Sequence, residues 1–132
     1  MPEANEPHWN GWGVDVEQHR FQPGSMAQLP ADEVPRLKLK WAFGYEDANQ
    51  AYAQPTVVGG RIFVGSVGRR VYSINARSGC IYWIIRTDFA VRTAISIGSH
   101  GTGWSAYFGD QHGNAYAVDA TTGKLLWKTR LD

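Results

Sequence analysis

Four histidines, one cysteine and a short acidic turn are the side chains of this 132-residue sequence that invite a chemical reading first. Their spacing supports none of the usual chemistries. His8, His19, His100 and His112 do not recur at the short intervals of a metal site, so we read them as solvent-exposed and expect no metal held by this chain alone. Asp110-Gln111-His112-Gly113 reads as a turn between two strands. Cys80 is the only cysteine, which excludes an internal disulfide, a CxxC redox pair and a CxxCH haem attachment within the chain; it sits in a turn as an exposed thiol. No Ser/His/Asp arrangement and no phosphate-cradling glycine loop is present. The formal charge is +1, and the 13 Lys and Arg are scattered. Their densest group, Arg36-Leu37-Lys38-Leu39-Lys40, alternates with apolar residues, so no basic patch for nucleic acid is expected. No apolar run is long enough to span a membrane. The opening Met1-Pro2-Glu3-Ala4-Asn5-Glu6-Pro7 lacks the basic and apolar regions of a secretion leader. The chain is therefore cytosolic, or a mature or internal piece of something longer.

The elements are more informative than the isolated side chains. The composition, 43% hydrophobic, fits one soluble globular domain, and 6 Trp, 6 Tyr and 15 Gly point to many short strands joined by tight turns. The text also repeats. Tyr72-Ser73-Ile74-Asn75-Ala76-Arg77-Ser78-Gly79-Cys80-Ile81-Tyr82-Trp83 lies over Tyr116-Ala117-Val118-Asp119-Ala120-Thr121-Thr122-Gly123-Lys124-Leu125-Leu126-Trp127 at an offset of 44 throughout. Phe63-Val64-Gly65 falls on Tyr107-Phe108-Gly109 at the same offset, and Trp41 precedes Trp83 by 42. A period of roughly 40–45 residues filled with short strands is the spacing of β-propeller blades, each a four-stranded sheet.

Turn residues divide each repeat. In the first, strands are expected over 54–58, 61–66, 70–75 and 81–86, with Gly59-Gly60 as a hairpin turn. In the second they are expected over 91–97, 104–109, 114–119 and 125–129, with a longer flexible hairpin at 98–103. Ahead of the repeats, residues 35–43 alternate as a strand, and Pro30 opens one helical turn over 30–34. Residues 1–28 show no period and are expected to pack irregularly on the sheet through Trp9, Trp12 and Phe21. The domain reading is a lead-in over 1–33, an outer strand of a preceding blade over 34–43, and blades over 44–87 and 88–132.

A pattern of Ala/Ser-x-Asp/Asn-x-x-Ser/Thr-Gly-x-x-x-Trp closes each repeat. Gly79 and Gly123 can take the positive φ of a turn, and Asn75 and Asp119 can cap it through their side chains. Trp83 and Trp127 then lie on outermost strands, where each can stack on a neighbouring blade. Burying ~150–250 Å² of ring at ~25 cal/mol per Å² contributes several kcal/mol per junction.

This pattern resembles the tryptophan-docking motif of pyrroloquinoline quinone (PQQ) propellers. Trp9-Asn10-Gly11-Trp12-Gly13, then His19-Arg20-Phe21, then Val34-Pro35-Arg36-Leu37-Lys38-Leu39-Lys40-Trp41-Ala42-Phe43 resembles the opening of quinoprotein alcohol dehydrogenases, nearest in wording to the polyvinyl-alcohol dehydrogenase branch. The resemblance covers about residues 8–131 of this chain but only the first part of such a protein. It implies an all-β, partial β-propeller of two four-stranded antiparallel blades with a lead-in strand. It also implies a periplasmic enzyme that holds PQQ with Ca²⁺ at the propeller centre and passes electrons to a cytochrome c or haem domain.

Carried over residue by residue, the resemblance places Arg92 at the position of an arginine that contacts PQQ; a surface arginine at a strand end is the competing reading. Tyr52 and Gln54 occupy the place of the family's acidic contact ahead of the preceding blade, yet neither is a carboxylate. They line the channel or are ordinary lead residues. Quinone-dependent oxidation needs a base for the alcohol proton and a Lewis acid on the quinone carbonyl. Neither is matched here, so catalytic residues are unassigned and Ca²⁺ is expected from residues outside this chain. Two blades and a strand fall short of the 4–8 blades of known propellers. The expectation is an N-terminal fragment, ahead of a truncated reading frame or a piece that closes its ring with other copies. A non-catalytic scaffold, such as the lipoprotein-type assembly factors that share the motif, is the alternative to the enzyme.

Overall fold

The computed structural model describes residues 7–15 and 17–131. The leader reading of Met1–Glu6 falls outside them. Among the described residues the strands form two four-stranded antiparallel sheets, each a simple meander. The first blade contains β1 (Thr56–Val58), β2 (Arg61–Ser66), β3 (Arg70–Asn75) and β4 (Ile81–Arg86). The second contains β5 (Ser96–His100), β6 (Gly103–Gly109), β7 (Asn114–Asp119) and β8 (Leu125–Arg130). Among the described residues no helix is long and apolar enough to cross a membrane.

Turn chemistry sets the hairpins. Gly59 and Gly60 both take positive φ, which matches the twist of the strands they join. Gly79 and Gly123 each adopt φ +76. Asn75 Oδ1 accepts the backbone N–H groups of Arg77 and Ser78, and Asp119 Oδ1 those of Thr121 and Thr122. Both ladders shift register at the same place, between Ser73 and Ile74 and between Ala117 and Val118. The two turns are thus built alike from different side chains.

The core is double-layered. Phe63, Val71 and Trp83 of the first blade pack against Val91, Ile95, Phe108, Tyr116 and Val118 of the second. The opposite face of the first blade, carrying Val64, Tyr72 and Ile74, is covered by Trp41, Phe43 and Tyr45. Trp83 lies over Gly123, where an added Cβ would come within 2.8 Å of Cδ2 of the ring, and its Nε1–H donates to the Ala120 carbonyl at 3.1 Å. Trp41 repeats this over Gly79, donating to the Ala76 carbonyl at 3.3 Å. Glycine is needed at these turns for the ring's approach as well as for φ.

Four expectations change. Residues 31–36 form a 3-10 helix, and no strand pairing is assigned over residues 37–43, because a ladder needs a neighbour and the described residues supply none there. The 98–103 hairpin is not a long loop: Ser99 pairs with Trp104 and His100 with Gly103, leaving Gly101-Thr102 as the turn. The inner strands start late, at Thr56 and Ser96. Pro55 has no N–H to give a ladder, and the Val91 N–H donates to Ser66 of the first blade instead. Of the three lead-in aromatics, Trp9 reaches the sheet, through an isolated bridge to Val57. Trp12 and Phe21 are exposed, Phe21 at 73%. The chain turns away after Gly11: Val14 and His19 close a loop through a backbone hydrogen bond, and α1 (Gly24–Ala27) buries nothing.

Candidate functional site

Two leads run into the inner strands, residues 46–55 into β1 and residues 87–95 into β5. Each is anchored by the turn between the second and third strands of its own blade. In the first blade Arg70, only 3% exposed, forms ion pairs with Glu46 at 3.0 Å and Asp47 at 2.8 Å. It also donates to the carbonyls of Glu46 and Gly68. In the second blade Asn114 occupies the equivalent position and Asp110 is the hub. Its carboxylate accepts from the Asn114 side chain at 2.8 Å, the Tyr116 hydroxyl at 2.9 Å and the backbone N–H groups of His112 and Asn114. Tyr116 in turn accepts the Asp88 N–H, and Asp88 pairs with Lys128. Phe89 stacks on His112 with ring centroids 3.6 Å apart. The turn expected at Asp110–Gly113 is therefore also the anchor of a lead, which its local sequence does not reveal.

Burial alone would raise the Asp110 pKa, but hydrogen bonds from Asn114, Tyr116 and two backbone N–H groups outweigh it and hold the carboxyl below its ordinary range. A carboxyl with a depressed folded pKa stabilises the fold above its unfolded value, near ~3.9, and that stability is lost as pH falls through the folded value. We predict that Asp110→Asn is less stable than the parent near neutral pH, and that the gap narrows below about pH 4. Urea unfolding at several pH values checks this; a gap independent of pH would exclude the carboxylate as its source.

The leads bring two of the three expected site residues together. Tyr52 is half exposed, and the Arg92 guanidinium carbon stands 4.2 Å from its ring centroid. Among the described residues no carboxylate or carbonyl accepts from Arg92, so its N–H edge is available to a ligand. Gln54 is not part of that pair; its amide makes a long, local 3.5 Å bond to the Pro55 carbonyl. The stacked Arg92–Tyr52 pair fits a planar polyanion such as PQQ: a cation with no ion-pair partner among the described residues, backed by an aromatic face. Elsewhere, Asp15, Glu17 and His19, all exposed, place their ligand atoms within 4.8 Å of one another, a juxtaposition not read from the histidine spacing.

A family model described as outer membrane protein assembly factor BamB, of the PQQ_2 type, matches residues 37–132. The chain therefore belongs to the PQQ-repeat β-propeller family. Within that class it is similar to quinoprotein alcohol dehydrogenases. Polyvinylalcohol dehydrogenase of Pseudomonas sp is 43% identical over 128 residues, spanning 94% of this chain and 19% of that protein. Quinohemoprotein alcohol dehydrogenase of Comamonas testosteroni is 29% identical over 131 residues. The crystal structure of that Comamonas enzyme superposes with a TM-score of 0.75 at 26% identity, covering 96% of this chain and 20% of the solved one. The Pseudomonas putida enzyme ADHIIG gives a TM-score of 0.80 at 26% identity, with the same coverages. The chain spans about a fifth of the length of the curated relatives it matches.

Proposed function

We propose that this chain contributes two blades and one wall of the quinone site to a PQQ-dependent alcohol dehydrogenase, of the kind that oxidises polyvinyl alcohol. The observation that carries the reading is the Arg92–Tyr52 pair, assembled from the leads of adjacent blades with the guanidinium edge unengaged. PQQ, when bound, supplies an ortho-quinone that accepts two electrons from the alcohol. Arg92 holds one of its carboxylates, Tyr52 fixes the guanidinium plane, and Gln54 borders the channel from the first lead. Ca²⁺ and the base that takes the alcohol proton come from blades outside this chain, and a periplasmic cytochrome c is the electron acceptor. The remaining blades, or other copies of the chain, complete the ring. Residues 1–33 are the lead-in, 44–87 and 88–132 the blades. Residues 34–43 are the outer strand of a preceding blade and the indoles act as tryptophan-docking motifs; the contact of Trp41 with Gly79, matching that of Trp83 with Gly123, supports this reading.

The scaffold reading has one observation in its favour: Tyr52 and Gln54 stand where an acidic contact would be expected. Dye reduction with PQQ, Ca²⁺ and polyvinyl alcohol separates the two. The whole protein that carries these blades is expected to reduce the dye; no reduction by it would favour the scaffold. The purified 132-residue chain is expected to show no turnover under the same conditions, and measured turnover would place a base and a Lewis acid within these two blades.

A further inference from the structure

The inner strands β1 and β5 are sheet edges, and an edge presents unpaired N–H and C=O groups. Three consecutive residues of the lead-in engage both. Trp9 and Val57 exchange backbone hydrogen bonds of 2.8 Å in each direction. Asn10 then uses its carboxamide as a second backbone: Nδ2–H donates to the Ile97 carbonyl at 2.8 Å and Oδ1 accepts the Ile97 N–H at 2.7 Å. The Gly11 N–H donates to Thr56 Oγ1 at 3.2 Å, and the Thr56 hydroxyl donates to the Ile95 carbonyl. Gly11 takes φ +105, which an L side chain rarely adopts, and an added Cβ would meet Ser96 Oγ at 3.8 Å. The strap thus ties the first blade's inner strand to the second's. Thr56 is fully buried, so the bond it makes between blades is shielded from water.

Tyr52 and Arg92 stand on the leads to those same two strands, each four residues ahead of its strand. Their 4.2 Å stack depends on the spacing between the two inner edges. The inter-blade core runs from Trp83 and Phe63 in to Val58, Ile95 and Ile97 at the inner edge. There the strap adds directed hydrogen bonds to the apolar packing. We propose that Asn10 is a positioning residue for the quinone site: by bridging to Ile97 it holds the second blade's inner edge at the distance that keeps Arg92 on Tyr52. This rests on the quinone reading of Arg92 given above.

The test is PQQ affinity, titrated by fluorescence on the whole protein well below its unfolding temperature, for the parent, Asn10→Ala, Arg92→Ala and the double variant. Asn10→Ala is expected to weaken PQQ binding roughly ten-fold, the scale of one or two lost neutral hydrogen bonds. In the Arg92→Ala background it is expected to add less than about two-fold, because its effect passes through Arg92. Asn10→Asp keeps the acceptor for the Ile97 N–H and loses the donor; an intermediate loss is expected, and it carries the same comparison if the alanine variant does not fold. Unchanged affinity in the Asn10 variants, or the same loss with and without Arg92, overturns the positioning role and leaves the quinone site standing. No loss in Arg92→Ala overturns the quinone reading, and the role of Asn10 with it.

Discussion

Trp83→Ala is expected to lower the unfolding free energy of this chain by about 3–5 kcal/mol, the range for truncating a buried aromatic ring. The ring is 8% exposed and sits at the centre of the inter-blade cluster, 5.9 Å from the Phe63 ring centroid and against the turn at Gly123. Removing it opens a cavity and leaves the Ala120 carbonyl without the Nε1–H that meets it. Trp127 is the internal control. It occupies the same strand position, faces Tyr107 as Trp83 faces Phe63, and is 47% exposed. Trp127→Ala is expected to cost no more than about 1–1.5 kcal/mol in the same chain. Guanidinium unfolding of the two variants decides the matter: equal losses would mean that the indole matters for its own blade and not for the junction. If a further blade covers Trp127 in the whole protein, its cost there rises towards that of Trp83.

Arg92→Ala is expected to weaken PQQ binding by the whole protein about ten- to a hundred-fold, the scale of a charge-assisted hydrogen bond. The same substitution is expected to leave stability nearly unchanged, because the side chain is exposed and its contact is with the half-exposed Tyr52 ring. That separation of affinity from stability distinguishes a ligand contact from a surface arginine at a strand end. Unaltered PQQ affinity would falsify the assignment of Arg92 to the site. Arg92→Lys is a useful companion, since it keeps the charge and loses the planar face that lies on Tyr52.

What the amino-acid sequence determined by itself is local. The bounds of β2, β3, β4 and β7 follow from turns whose glycines and Asx side chains solve their backbone problem within a few residues. Two copies of the closing motif in register made the blades legible, because the same turn and the same indole recur at one offset. The 98–103 hairpin misled because Gly and Ser mark flexibility in composition, whereas the pairing of His100 with Gly103 is decided by the partner strand. Tertiary structure alone decided the rest. Asn10 and Ile97 are 87 residues apart, and a carboxamide that stands in for backbone has no periodic signature. Asp110 reads as a turn residue until Tyr116 and Asn114 converge on it. Tyr52 and Arg92 lie 40 residues apart in the sequence, and only the stacking of the two blades brings the guanidinium onto the ring, with Gln54 outside the pair. Contacts within a turn depend on neighbours in the chain, which a sequence displays. Contacts between blades depend on how whole sheets stack, and that is settled by the shape of the packed faces.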